Sequence, residues 1–355
     1  MLVQNKKNAW KVTDLSKAVP VEPLKQNLVE SLGVFAEDLR QTRTVTIERD
    51  VIKGVVVPKI NYDGRRVNIT PDATIQTTVS IPRVGIEDSV KVSDLQDYIT
   101  YGGDVNQAVL DALATQVAKK TIKLDTTLRD TLEVDRISTL MTGSPFDPTG
   151  VLRRSYGTFN IYSELGITRG SVEVDFTGNP TETVNNLYTT IRDKVHNYAG
   201  VGRIVVLCGK TMFAAIQGNE YVLDIKTRLG DGFTMSQLLG RPPADGLDYR
   251  FRSTAFGDVL WIDASAALKL DENGALVPVV ADDQGVAFPM GDGLYTTYFA
   301  PEQRFDTVNR PAVPRMLRER MNDDQDLYNM IAESNFFNML EVPEAVVTVT
   351  GKYTP

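Results

Sequence analysis

One cysteine and one histidine are all this chain of 355 residues contains of two side chains much used for metal and nucleophile chemistry. With Cys208 alone, no intramolecular disulfide and no cysteine-based zinc site can form, so the chain reads as a cytosolic product. A Ser-His-Asp triad or a Cys-His pair would have to pass through Cys208 or His196, and Gly-x-Ser-x-Gly is absent. His196 therefore reads as a surface or interface residue. No run approaches the roughly 18 consecutive apolar residues of a membrane span. The opening MLVQNKKNAWKV is basic but lacks the apolar centre of a signal peptide. A soluble intracellular product is expected.

Basic charge is also scarce. Lys and Arg number 38 against 46 Asp and Glu, a formal net charge of -8. A protein that grips nucleic acid usually carries a basic patch, so any contact with DNA is expected to be weak and non-specific. The aromatic residues are scattered rather than interleaved with basic ones, unlike a single-strand platform. Gly209-Lys210-Thr211 follows a strand and opens a helix, the setting of a phosphate-binding loop. That motif needs a glycine where this chain has Ile204, and an ordinary strand-to-helix turn is the better reading. Asp282-Asp283 and Asp323-Asp324-Asp326 lack the alternating ligands and closing Glu of a calcium loop. They read as solvated turns, with a loose cation site in 322–326 left open. No catalytic, cofactor-binding or metal-ligating residue is assigned.

What is present is architectural. Residues 1–30, broken by Pro20 and Pro23, read as a locally basic extended arm. Residues 41–92 read as one long two-stranded ribbon. Its first limb is rich in β-branched residues, including Val55 and Val57, with Pro58 suited to an edge strand. Asp63-Gly64 supplies a type I′ hairpin turn. The return limb alternates Ile75, Thr77, Val79 and Ile81 with polar residues. Ordering ~50 residues costs roughly 1–2 kcal/mol each. At about 25 cal/mol per Å², apolar burial alone would have to cover on the order of 3,000 Å². The ribbon's polar face cannot supply that, so a neighbouring chain is expected to cover it.

A long amphipathic helix is expected over 104–142. Asp104 and Gln107 form a capping box at its start, and Gly143 stops it. Leu110, Leu113, Val117, Leu124, Leu128 and Leu132 form its stripe, continued by Val134, Ile137 and Met141. Thr121 and Asp135 interrupt that stripe, and Asp125 and Arg129 are spaced for an ion pair. At 1.5 Å per residue it is a rod of roughly 57 Å. Further strands are expected in 151–178, then a helix from Thr181 with Val184, Leu187, Ile191, Val195 and Tyr198 inward. A buried strand at 204–208 and a helix from Lys210 follow. Strand-like runs at 248–256, 258–263, 276–280, 286–290 and 294–299 complete a compact α/β unit over 180–300. From Pro311 the chain returns to β.

Several short motifs in the last third carry a resemblance. Pro301-Glu302-Gln303-Arg304-Phe305, Val308-Asn309, Glu333-Ser334-Asn335 and Pro343-Glu344-Ala345-Val346-Val347 resemble the closing segment of lambda-like tailed-phage major capsid proteins. Thr13-Asp14-Leu15 with Val19 is similar to that family's opening. The resemblance implies an α+β, HK97-type capsid fold. Its parts would be an arm at 1–40, an extended E-loop hairpin at 41–92, and a P-domain at 93–180 with a spine helix at 104–142. An A-domain at 181–310 and a C-terminal β segment at 311–355 returning to the P-domain would follow.

By the same resemblance, Val55, Val57, Asp63, Gly64, Ile75, Val79 and Ile81 make inter-subunit contacts. Copies would assemble, in the bacterial host cytoplasm, into hexamers and pentamers of an icosahedral virion shell enclosing double-stranded DNA. A small decoration protein is the implied partner, with a separate scaffold and portal during assembly. Some members weld subunits through a lysine, but Lys53 and Lys59 in the ribbon are ordinary, and no cross-link is expected. The rival readings are an encapsulin-type cargo compartment, a soluble α/β enzyme using 200–300, and another virion part such as a tail component. The enzyme reading leaves the ribbon unexplained.

Overall fold

The computed structural model describes residues 28–51, 73–91, 93, 105–147, 159–195, 201–228, 251–256, 259–270, 275–321 and 327–353. Its helices are α1 (Leu28–Leu32), α2 (Val105–Thr142), α3 (Ile161–Glu164), α4 (Thr181–Val195), α5 (Lys210–Gly218) and α6 (Glu220–Arg228). Strands β1 (Ala36–Leu39), β2 (Thr44–Val51), β3 (Ala73–Ser80), β4 (Val84–Lys91) and β5 (Gly170–Asp175) precede the largest sheet's centre. They are followed by β6 (Val201–Cys208), β7 (Ser253–Phe256), β8 (Val259–Asp263), β9 (Leu268–Leu270), β10 (Leu276–Pro278) and β11 (Gln284–Gly291). The last are β12 (Tyr295–Phe299), β13 (Met316–Met321), β14 (Leu327–Ser334), β15 (Phe336–Leu340) and β16 (Val347–Lys352).

A helix of 38 residues is far longer than most, and α2 is held because three separate cores cover it in turn. Leu124 and Leu128 pack on the sheet β13-β14-β4, joined by Leu317, Tyr328 and Met330, with Leu113 and Val117 at the margin. Leu132 joins Phe299, Ala312 and Phe336. Val134, Ile137 and Leu140 enter the main core. The Asp125–Arg129 pair forms at 2.9 Å and Arg315 adds to it at 3.1 Å. The side chain of Leu110 lies outside the described residues.

The main core lies under the six-stranded sheet β5-β16-β11-β6-β8-β7. Helix α4 covers it with Val184, Leu187, Ile191 and Val195, all buried, and α5 with Met212, Phe213 and Ile216. Gly209 lets the backbone of this sheet close up. A side chain there would overlap the carbonyl oxygen of Ala281. The amides of Thr211 and Met212 at the start of α5 already donate to the Asp282 carbonyl, at 3.0 and 3.2 Å. The turn that resembles a phosphate loop is a packing joint with its donors engaged.

Three sequence expectations need correction. The arm's last part is not extended: Leu28–Leu32 is helical, β1 pairs in parallel with β12, and Leu28, Val29, Val34 and Phe35 are buried in the main core. The ribbon ends at Ser80, because β4 pairs along its whole length with β14 instead. The segment 151–178 holds one strand, β5, among its described residues, preceded by the single turn α3, whose first amides Asn160 caps. The closing segment divides: β13 and β14 join the sheet that packs on α2, whereas β16 enters the six-stranded sheet beside β5. Val347 and Val349 are fully buried and alternate with Thr348 and Thr350, a pattern that fits one covered sheet face, and β16 inserts between β11 and β5. The six-stranded sheet therefore draws strands from both sides of 181–310.

Replacing Gly209 with Ala is expected to lower unfolding free energy by about 3 kcal/mol, since backbone rather than a flexible side chain blocks the new methyl. Chemical denaturation of the variant checks this; an unchanged midpoint would mean the joint can open without loss.

Candidate inter-subunit surface

The ribbon root is fixed by its own subunit. Strands β2 and β3 pair from Thr44↔Ser80 to Val51↔Ala73, and the Ile81 amide donates to the Arg43 carbonyl at 2.8 Å. Val45 and Ile81 are buried in the main core, with Ile47 and Val79 packed against it. Val79 and Ile81, expected as contacts to a neighbour, thus face inward. A strand's alternation specifies a covered face but not whose surface covers it. The opposite face presents Thr44, Thr46, Glu48, Gln76 and Thr78 to solvent, with the Thr46 and Thr78 hydroxyls 3.3 Å apart. Val55, Val57, Asp63 and Gly64 lie outside the described residues, as does the side chain of Ile75.

Beside this root runs the loop 301–314, held at both ends by Glu333-Ser334-Asn335. The Asn335 amide nitrogen donates to the Pro301 carbonyl at 3.2 Å and to the Glu333 carboxylate at 2.9 Å. The Ser334 hydroxyl donates to the Pro314 carbonyl at 2.6 Å. Glu333, almost wholly buried, pairs with Arg83 at 2.7 Å. From β13, Arg318 bridges Glu302 and Asp306 of the loop, while Arg304 also reaches Asp306 at 3.2 Å. Two of the sequence's short motifs are thus one clamp in space.

A second polar cluster ties α2 to the neighbouring sheet. The Glu133 carboxylate accepts the amides of Val29 and of Glu30, the latter at 3.2 Å. Both donors lie in the first turn of α1, where amides lack helical partners. Asp135 accepts the Phe146 amide at 2.5 Å and the Asn338 side-chain amide at 2.6 Å. Asn338 accepts the Thr297 hydroxyl at 2.7 Å, which in turn accepts Arg136 Nε at 3.2 Å. The interruption of the apolar stripe at Asp135 is a fastening point. Charges at 125, 129, 133 and 136 recur at helical spacing within an apolar stripe, the one sequence signal that could have revealed it.

No cluster of three or more His, Cys, Asp or Glu able to hold a metal occurs among the described residues. His196 and Asp323-Asp324-Asp326 lie outside them. Cys208 is buried, its thiol donating to the Ile262 carbonyl at 3.3 Å, and burial raises its pKa. No helix among the described residues is long and apolar enough to cross a membrane.

The arrangement of ribbon, long helix and six-stranded sheet is that of a viral shell subunit with the HK97-type fold. It is similar to the putative capsid protein of a prophage of E. coli CFT073, with a TM-score of 0.53 and 10% identity over 96% of this chain and 100% of that one. It is also similar to the capsid chain of cyanophage P-SCSP1u, at a TM-score of 0.50 and 8% identity over 98% and 94%. The family model for phage major capsid protein E matches residues 11–351, and the chain belongs to that family. The major capsid protein of Pseudomonas phage KPP10 is 27% identical over 348 residues, covering 96% of each chain. The protein is a structural component of a phage virion shell, associating with copies of itself, and not an enzyme.

The buried carboxylates make stability pH-dependent. Burial raises Glu133 from 4.5 to about 7 and Asp135 from 3.8 to about 6. Between those values the folded chain keeps a proton that the unfolded chain has lost, so stability falls as pH rises. The contribution is complete below pH 4.5 and is lost as pH passes about 7. For Glu133 it is on the order of 3 kcal/mol. Melting of Glu133→Gln is expected to show a shallower decline over that window than the unmodified chain. An identical slope would mean Glu133 is ionised throughout.

Proposed function

We propose that this capsid protein builds hexamers and pentamers of a closed icosahedral shell around double-stranded DNA, with the outer ribbon clasping a neighbouring subunit. The observation that carries this is the isolation of the β2–β3 pair, a sheet of its own with no third strand among the described residues. A two-stranded ribbon is marginal in water, and among the described residues its own subunit covers one face at the root, through Val45 and Ile81. Under this reading 1–40 is the arm, the ribbon ending at Ser80 the E-loop, and 93–180 with β4 the P-domain region. The segment 181–310 is the main part of the A-domain. The net charge of -8 supports weak, non-specific contact with packaged DNA. A small decoration protein, a separate scaffold and a portal complete the proposed partners.

Deleting 61–65 at the ribbon's expected turn should leave a soluble subunit with normal circular dichroism and no closed particles by negative-stain microscopy. Normal shells from that deletion would overturn the clasp. Locking is proposed to be non-covalent. Denaturing electrophoresis of mature particles should then give one band at 39.3 kDa, whereas a ladder of multiples would mean that Lys53 or Lys59 is cross-linked.

A further inference from the structure

Phe305 is more exposed than any other large apolar side chain described, at 102% of its reference surface, and Val308 follows on the same loop at 62%. Burying an aromatic side chain removes about 150–250 Å² from water, so leaving one outside forgoes a large gain. The loop is not free to fold Phe305 inward. Its 3₁₀ turn, Phe305–Thr307, is tied by the Thr307 hydroxyl to the carbonyls of Glu302 and Arg304 at 2.7 and 3.1 Å. Arg304 and Arg318 hold Asp306 from two sides. Asn309, at φ 59°, is the only non-glycine residue in the left-handed region among those described. The clamp by Ser334 and Asn335 fixes the loop's ends.

An open groove of about 480 Å³ lies between this loop and the ribbon root, lined by Gln41, Arg43, Pro301, Phe305 and Val308 among others. Arg43 beside it and Arg310 just beyond have no side-chain partner within the subunit among the described residues. An exposed aromatic and aliphatic centre rimmed by arginines has the make-up of an interface core rather than of ordinary surface.

We infer that the Phe305 loop and its groove form a contact surface for a second copy of this chain, with Phe305 as the anchor. The occupant follows from charge and place. Two cations without a side-chain partner among the described residues sit on a chain with eight surplus acidic charges, so another copy offers a complementary surface. The groove is also lined by Gln41 and Arg43 at the ribbon root, continuing the surface proposed to meet a neighbour. The inference rests on the shell reading above and gives Pro301–Asn309 a task within it.

The test places the photo-crosslinker p-benzoylphenylalanine at position 305 of the full chain and irradiates assembled particles and dissociated subunits. A copy-to-copy adduct, at twice the 39.3 kDa chain mass, is expected in particles and not in subunits. No adduct in particles, or one only to a different protein, overturns the inference while leaving the shell reading intact. In parallel, Phe305→Asp and Arg43→Glu should melt like the unmodified subunit yet lower particle yield at least tenfold; full yield from both also overturns it. An unmodified chain that never closes into particles sinks the shell reading, and this contact with it.

Discussion

A helix of 38 residues has to be covered along its length, and most of the chain's remaining architecture answers that requirement. Isolated helices draw little stability from propensity, and their packing decides whether they persist. From Leu132 to Ile137 six consecutive residues are buried, so this stretch of α2 is enclosed on every side. Enclosure on all sides forces polar groups inward with the apolar ones. Glu133, Asp135 and Arg136 are admitted because each has a specific partner on α1, β12, β15 or the connecting backbone. An apolar replacement could supply comparable burial, but directional bonds also fix the rotation and axial position of the helix against the sheets.

That fixation passes outward. The sheet β1-β12-β15 is bonded to α2 through Thr297 and Asn338. Its strand β15 follows directly on Glu333-Ser334-Asn335, whose side chains hold the loop 301–314. The Arg40 amide donates to the Phe299 carbonyl, and the Ala312 amide to the Arg40 carbonyl, both at 2.9 Å. Arg40 lies just before the ribbon. Ribbon root and loop are therefore referenced to the same helix through short chains of hydrogen bonds. In a protein that works by meeting copies of itself, the relative position of such surfaces is the functional quantity, as catalytic geometry is in an enzyme.

How much of this could be read from the sequence follows the range of the interactions. The long helix, α4 and the strand at Val201–Cys208 announce themselves by periodicity within a dozen residues, and the β2–β3 alternation by its period of two. Partnerships across the chain do not. Arg83 meets Glu333 across 250 positions and Asp135 meets Asn338 across 203, and local patterning carries no record of either. The same limit explains β4, which the sequence places in the ribbon and which pairs instead with β14, more than 230 positions away. It also explains why the Glu-Ser-Asn and Arg-Phe motifs were recognisable as a resemblance before they had a physical role. Their meaning is the clamp, and the clamp exists only in three dimensions.

The burial of the ribbon's root in its own subunit bears on how such a subunit can persist before it assembles. If the whole ribbon relied on neighbours, the free subunit would carry on the order of 50 residues ordered without cover, and at roughly 1–2 kcal/mol each that is untenable. Burying Val45 and Ile81 in the subunit's own core sets the register and direction of the strands in advance. In the clasp proposed above, a neighbour then covers what lies past the root. Preorganising one end lowers the entropy that association must overcome, and it leaves the contact reversible until many subunits hold it together. The clasp proposed above, rooted in this way, needs no covalent bond to be specific, because its register and direction are already set at Thr44↔Ser80.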